Sequence, residues 1–242
     1  MSHFINEEKA IEKEFSSDWR KHLFGLDRYG VLLILILLQL ILMSGFSHRL
    51  VLLVAVVIQI LTLFIALRSS GIHIRGKSFI ALWLVIFIAT AASVVTIDHY
   101  YPMNGFNQYA KIPAYIVAIL LDLSIIALII RRLIRHAKIN ISTVFGALCI
   151  YLQIGLFFAA IYALLGIASN GNFFAGQDVQ QQVIYVYFSY SCLTTVGFGD
   201  FVAASNLGRM LAVSESIIGQ IYLVAGVALV VGSLGRQHKD IQ

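Results

Sequence analysis

Charge is scarce in this chain. Asp, Glu, Lys and Arg make up 12% of its 242 residues, about half of the ~25% usual in a soluble domain. With 60% apolar residues and a mean hydropathy of +0.88, that scarcity excludes a soluble globular domain and predicts an integral membrane protein. Proline is nearly absent. Pro102 and Pro113 are the only two, and both fall at or just outside the ends of apolar stretches, so uninterrupted helices are expected. The two cysteines, Cys149 and Cys192, both fall inside apolar stretches, which excludes a disulfide framework in an external loop. No metal-ligand spacing, nucleophile elbow or phosphate loop occurs, so neither an enzyme, an enzyme substrate nor a cofactor is expected. His48, His73, His99 and His136 sit near the ends of apolar stretches and read as interfacial residues.

Six stretches are long and apolar enough to span a bilayer: roughly Tyr29–Phe46, Leu50–Leu67, Phe79–Ile97, Ile112–Ile130, Thr143–Ala168 and Leu207–Gly232. The first two approach the short limit and are joined by a tight turn around Gly45 to His48. Residues 1–28 are polar and mixed in charge, without the apolar core of a signal peptide. They read as a cytoplasmic segment, in which Phe15, Trp19 and Leu23 allow a surface helix over Glu7 to Arg28. Arg20, Lys21 and Arg28 precede the first span, Arg68, Arg75 and Lys77 follow the second, Arg131, Arg132, Arg135 and Lys138 follow the fourth, and Arg236 and Lys239 follow the sixth. The other side holds only Arg49, Lys111 and Arg209. The positive-inside rule then puts both termini in the cytoplasm of a multi-pass cell-membrane protein. The net charge of +5 thus reports topology and contact with lipid, not nucleic-acid binding. Tyr100, Tyr101, Phe106 and Tyr109 would form an outer interfacial belt.

Between the last two spans lies Val183 to Leu193, apolar and aromatic but only about eleven residues long, against roughly 20 needed to cross. It is expected to be a re-entrant helix. The segment Thr194-Thr195-Val196-Gly197-Phe198-Gly199-Asp200 follows. A dehydrated cation needs a ring of oxygens in place of its water shell. Successive backbone carbonyls supply one if they point the same way, which takes alternating right- and left-handed backbone, cheap at glycine. Gly197 and Gly199 meet that need, and the Thr195 hydroxyl adds an oxygen layer at the inner mouth. A known potassium filter is a TVGYG loop supplied four times; here Phe198 replaces the tyrosine. The expected K⁺ ligands are Thr195, Val196, Gly197 and Phe198, with Gly199 completing the filter. The motif occurs once, so a homotetramer is needed. A glycine turn between two membrane helices is the plainer alternative.

Further candidates surround the filter. Asp200 closes it at the outer mouth, where it can attract cations and brace the backbone. Ser216, Gln220, Leu223 and Val227 share one helical face and are expected to line a central cavity. For Gln220 an interhelical hydrogen bond is the alternative. Glu215 and Asp122 are the only acids inside spans, where an ionisable group is costly unless paired. Glu215 is expected to brace the filter, protonated or held by Ser189 or Ser191. Asp122 is expected to meet a polar residue of a neighbouring span. Tyr185, Tyr187, Phe188 and Tyr190 can form an aromatic cuff, or face lipid.

From about Thr143 to Gly235 the chain resembles the pore module of tetrameric potassium channels: outer helix, pore helix, filter and inner helix. The resemblance rests on Thr195 to Gly199, the following Asp200, the Gly208-Arg209 pair and Gly219. It implies a bacterial channel with six spans and one pore loop per subunit, assembled as a four-fold ring, with Gly219 as a gating hinge. Close helix packing is the alternative for Gly219. The expected fold is thus an all-α membrane protein: six transmembrane helices plus a re-entrant pore helix and selectivity-filter loop. The expected divisions are a cytoplasmic segment 1–28, a four-helix domain 29–139, a pore domain 140–235 and a short tail 236–242, with no ligand-binding domain after the sixth span. The expected function is passive potassium-selective conduction. A poorly selective cation channel, a transporter subunit and a non-conducting membrane scaffold or sensor are the alternatives. Voltage-gated members carry arginines within the fourth span. Here Ala114 to Ile130 has no basic residue. A charge crossing 100 mV yields only about 2.3 kcal/mol, and steep gating needs several per subunit. A shallow conductance–voltage relation is therefore expected in planar bilayers, and a curve as steep as that of a dedicated voltage sensor would refute it.

Overall fold

The computed structural model describes residues 27–45, 49–69, 111–135, 141–176 and 182–239. Six helices follow one another there: α1 (Asp27–Gly45), α2 (Arg49–Ser69), α3 (Ile112–Arg135), α4 (Ile141–Ala168), α5 (Gln182–Leu193) and α6 (Asn206–Lys239). No strand occurs among the described residues, only an isolated antiparallel bridge between Phe174 and Ala203. The expected span Phe79–Ile97, the surface helix over Glu7 to Arg28 and the aromatics from Tyr100 to Tyr109 lie outside the described residues.

Three of these helices are long and apolar enough to cross a membrane: Ile112–Ile134, Thr143–Ala168 and Asn206–Gly226. Their 23, 26 and 21 residues reach about 35, 39 and 32 Å at 1.5 Å per residue, against ~30 Å of hydrocarbon. In α1 and α2 the described apolar runs are shorter, Tyr29–Met43 and Val57–Leu67. Half of the spanning window of α4 is buried, against 28% for α3 and 17% for α6, so α4 is the central post. It packs against α1, α3, α5 and α6, while α2 packs on α1 and α3.

The periodicity explains the packing. On α3, Val117, Leu121, Ile125 and Ile129 are buried at four-residue spacing, which is one helical face. Leu32 and Ile36 of α1 and Cys149, Ile150 and Ile154 of α4 join the same core. The opposite face of α3, with Ile116, Leu120, Leu123 and Ile130, is exposed. At the C-terminal end of α3, the Arg132 guanidinium sits 4.3 Å over the Tyr29 ring, which ties α3 to α1.

Lipid tails are as apolar as leucine, so hydrophobic burial alone gives helices in a bilayer little reason to associate; close packing and hydrogen bonds decide. Hydroxyls within the helices are closed locally: Thr62 donates to Ile58 O at 2.8 Å and Ser214 to Met210 O at 2.8 Å. Between helices, one close approach is at Gly155 of α4. A Cβ there would lie 2.6 Å from Tyr190 Cζ. The bare backbone lets the Tyr190 ring lie against α4 and its hydroxyl donate to Leu152 O at 2.6 Å. Gly155→Ala gains about 1 kcal/mol of helix propensity but overpacks by about 1–3 kcal/mol, so a net loss of thermal stability in detergent is expected. In a Tyr190→Ala background the same change should become neutral or stabilising. An unchanged melting temperature for Gly155→Ala alone would show that the close approach is not required.

Candidate functional site

Helix α5 has 12 residues and is about 18 Å long, too short to cross a bilayer. After Leu193 the backbone leaves the helix and stays non-helical until α6 begins at Asn206. Three residues of this stretch have positive φ: Thr195 at 57°, Gly197 at 57° and Gly199 at 81°. They alternate with Val196 and Phe198. Glycine takes such values freely. Thr195, β-branched, does not, and holding it there costs on the order of 1–3 kcal/mol. Its amide donates to Cys192 O at 2.9 Å, and the Gln220 amide Nε2 donates to its Oγ1 at 3.1 Å.

Ser191 holds the next part. Its carbonyl accepts from Val196 N at 3.0 Å and Gly197 N at 3.3 Å. Its Oγ accepts from Phe198 N at 3.4 Å. The direction of these bonds fixes the direction of the carbonyls. In a trans peptide the N–H and the preceding C=O point opposite ways. Three consecutive N–H groups aimed at Ser191 therefore turn the carbonyls of Thr195, Val196 and Gly197 away from α5, all to the same side. The far side is open in the single chain, where Val196 is 55% and Phe198 66% exposed.

The outer end is held by different groups. Tyr187 Oη donates to Asp200 Oδ2 at 2.8 Å, and Phe201 N donates to Asp200 Oδ1 at 3.0 Å. The Tyr187 and Phe198 rings stack with centroids 5.7 Å apart. Thus Phe198, without a hydroxyl, is held by its face. The segment after Asp200 is pinned to the loop after α4: Ala175 N donates to Val202 O and Ala204 N to Phe173 O, each at 2.8 Å. Beneath this clip Phe173, Phe174, Tyr162, Tyr185 and Phe188 form one buried aromatic cluster. Of the four aromatics expected to form a cuff, Tyr185 and Phe188 enter this cluster, Tyr190 docks on α4, and Tyr187 is exposed beside the filter segment.

Glu215 of α6 is fully buried. Tyr162 Oη donates to its Oε2 at 2.7 Å, and Ser189 Oγ lies 2.5 Å from its Oε1. Ser189 also lies 2.7 Å from Gly155 O. A serine has one hydroxyl hydrogen. Every hydrogen is used when Ser189 donates to Gly155, Tyr162 donates to Glu215, and a neutral Glu215 donates to Ser189. Glu215 and Ser189 are thus in contact. Ser191 is not brought to Glu215; it grips the filter backbone instead. Asp122 of α3 meets Gln59 of α2 and Gln153 of α4, whose Nε2 atoms donate to Oδ1 at 2.8 and 2.5 Å.

Three of the four residues expected on one face of α6 have described side chains. Ser216 Oγ donates to Cys192 O at 2.8 Å, so it sits against the end of α5. Gln220 reaches Thr195, and Leu223 is exposed. The Val227 side chain lies outside the described residues. Helix α6 runs unbroken through Gly219, where a Cβ would overlap the Leu193 carbonyl oxygen and lie 3.0 Å from Leu193 Cδ1. The absence of a side chain at Gly219 therefore lets α6 touch the end of α5. Sequence reasoning missed Tyr162, Tyr151 and the clamp role of Ser191. The available signal was a polar-tipped tyrosine in the middle of an otherwise apolar span.

Residues 150–235 match the family described as an ion channel. The chain is also similar to the voltage-gated potassium channel Kch of Escherichia coli (strain K12), 24% identical over 176 residues that cover 73% of this chain. It spans 38% of that relative's length. No solved structure matches the chain. The matched region contains α5, the filter segment and most of α6. It is similar to ion channels, and the surrounding helices are those of a membrane protein.

Glu215→Gln keeps both roles of a neutral acid, an acceptor for Tyr162 and a donor to Ser189. Its stability in detergent should stay within about 0.5 kcal/mol of wild type, whereas Glu215→Leu leaves the buried Tyr162 hydroxyl without its acceptor and should cost about 1–3 kcal/mol. Equal melting temperatures for Glu215→Leu and wild type would remove Glu215 as a brace.

Proposed function

We propose that this chain is one quarter of a potassium-selective pore and conducts K⁺ passively. The observation that carries this reading is the one-sided hold of Ser191 on three consecutive amides, which leaves the carbonyls of Thr195, Val196 and Gly197 pointing together into open space. Four such segments around an axis would replace the hydration shell of a K⁺ ion. The ligands are the carbonyls of Thr195, Val196, Gly197 and Phe198 and the Thr195 hydroxyl, with Gly199 completing the filter and Asp200 at its outer mouth. Gln220 and Leu223 face the cavity below. Gly219 serves as the point where α6 flexes against the end of α5. The similarity of residues 150–235 to ion channels supports the same reading.

A homotetramer follows from the chemistry. One segment offers an arc of oxygens and cannot enclose an ion. In the isolated protomer α6 also exposes Leu207, Met210, Val213, Ile217, Ile221 and Val224, an apolar stripe at helical spacing suited to neighbouring copies. In a six-span arrangement α5 enters from outside as a re-entrant helix, and both termini lie in the cytoplasm of the cell membrane. The C-terminal end of α5 then points at the ion path, where its partial negative charge favours a cation. The similar protein from Escherichia coli carries "voltage-gated" in its name. In this chain Arg131 and Arg132 lie past Ala114 to Ile130, so the voltage response is weak. The tyrosine-to-phenylalanine difference at position 198 makes a less selective cation pore the alternative outcome.

The test is a purified, reconstituted protein with K⁺ and Na⁺ on opposite sides of a planar bilayer. A four-fold particle whose reversal potential lies close to the K⁺ equilibrium value is expected. A reversal potential near zero would replace this reading with the less selective pore. Gly197→Ala forces a Cβ onto a residue at φ 57°, at about 1–2 kcal/mol per subunit, and should abolish or derange selective flux. An unchanged reversal potential in that variant would overturn the filter assignment.

A further inference from the structure

One turn of α4 carries polar contacts from two directions. On one side, Tyr151 Oη donates to Leu193 O at 3.3 Å, Leu152 O accepts from Tyr190 Oη at 2.6 Å, and Gly155 O accepts from Ser189 Oγ at 2.7 Å. All three bonds run to the C-terminal half of α5, the helix that holds the filter segment. Gln153 is two residues from both Tyr151 and Gly155. At 100° per residue it lies roughly 160° around the helix from either, and it meets Asp122 of α3.

Asp122 is 2% exposed and Gln153 1% exposed. Asp122 Oδ1 accepts from Gln153 and also from Gln59 of α2. The other end of Gln153, Oε1, is buried and has no hydrogen-bond partner. The side chain of Gln153 is therefore held by Asp122 alone among the described residues. Removing that acceptor leaves a buried amide with neither end satisfied. The disturbance then falls on α4 at the turn from which α5 hangs, and not only on α3.

We infer that Asp122 is a positioning residue for the filter: through Gln153 it fixes the turn of α4 spanning 151–155, and that turn fixes the C-terminal half of α5. The peripheral helices α2 and α3 thereby have a polar grip on the back of the pore, and a shift of α2 or α3 relative to α4 is transmitted to Ser189, Tyr190 and Leu193. The effect on conduction rests on the pore reading above; the effect on the order of α5 does not.

Two measurements on the full-length protein in lipid nanodiscs and bilayers separate these. The first is amide hydrogen exchange over residues 189–198, none of which is hydrogen-bonded to Asp122, whose bonds run to Gln59 and Gln153. Asp122→Leu and Gln153→Leu should each raise exchange there about tenfold, as expected when a supporting buried hydrogen bond is lost. Asp122→Asn keeps an Oδ1 acceptor for both glutamines and should stay within about twofold of wild type. Ile125→Ala, a cavity one turn along α3 from Asp122, lowers the melting temperature and should leave exchange in 189–198 unchanged. The second measurement is the K⁺ over Na⁺ permeability ratio and open probability, which should fall in both leucine variants and recover in Asp122→Asn. The inference is overturned if Asp122→Leu raises exchange only in α2 and α3, or if Gln153→Leu behaves as wild type. If Asp122→Leu does not assemble, Gln153→Leu and Asp122→Asn decide by the same criteria. A wild-type protein that passes no K⁺ would sink the pore reading, while the exchange measurement would still judge Asp122.

Discussion

Backbone that leaves a helix at membrane depth must find its hydrogen bonds inside the protein. On the proposed re-entrant reading the stretch from Thr194 to Ser205 faces that requirement, and Ser191 answers it by taking three consecutive N–H groups with one carbonyl and one hydroxyl. The other half of each peptide then has no partner among the described residues. Much else in the molecule follows from keeping Ser191 in place. Tyr151 and Ser216 close the last carbonyls of α5, at Leu193 and Cys192. Gly219 lets α6 approach that same end. The clip between Phe173–Ala175 and Val202–Ala204 holds the outer strap of the filter.

Polar groups are few in this core, and most of them work between helices. Glu215 links α6 to α4 and α5 through Tyr162 and Ser189. Tyr222 of α6 donates to Ala147 O of α4 at 2.7 Å. Asp122 links α3 to α2 and α4. In a medium that gives apolar side chains no reason to prefer one another over lipid, such links select one arrangement of helices among many with similar apolar contact. The aromatic cluster around Phe173 and Phe188 does the same by shape, since its rings meet edge to face.

The helices were legible in the sequence because apolar stretches of 18 or more residues separated by charged loops carry a strong signal. The existence of α1, α2, α3, α4 and α6 followed from it, and α5 stood out by falling short of that length. The backbone geometry after α5 was legible in part because glycine spacing serves it: positive φ values fall on Gly197 and Gly199, while the third, at Thr195, had no such signal. Less was visible where contacts depend on three-dimensional rotation about helix axes. Periodicity grouped Ser216 with Gln220, but it could not name what they meet: Ser216 bonds Cys192 O at the end of α5, and Gln220 bonds Thr195 just beyond it. Ser189 and Ser191 were equally good partners for Glu215 by composition. Only the rotation of α5 gives one to the acid and the other to the filter. The partners of Asp122, sixty-three and thirty-one residues away, carry no local signal at all.

The hold of Ser191 on the filter spans seven residues of sequence, from Ser191 to Phe198. Such a short loop closes at little entropic cost and without waiting for distant parts of the chain. The carbonyl arc can therefore form while a single subunit folds, before any neighbour has docked. On the proposed four-fold reading, assembly then brings together ready-made quarters, and the slow, concentration-dependent encounter of subunits has only the outer faces of α6 left to match.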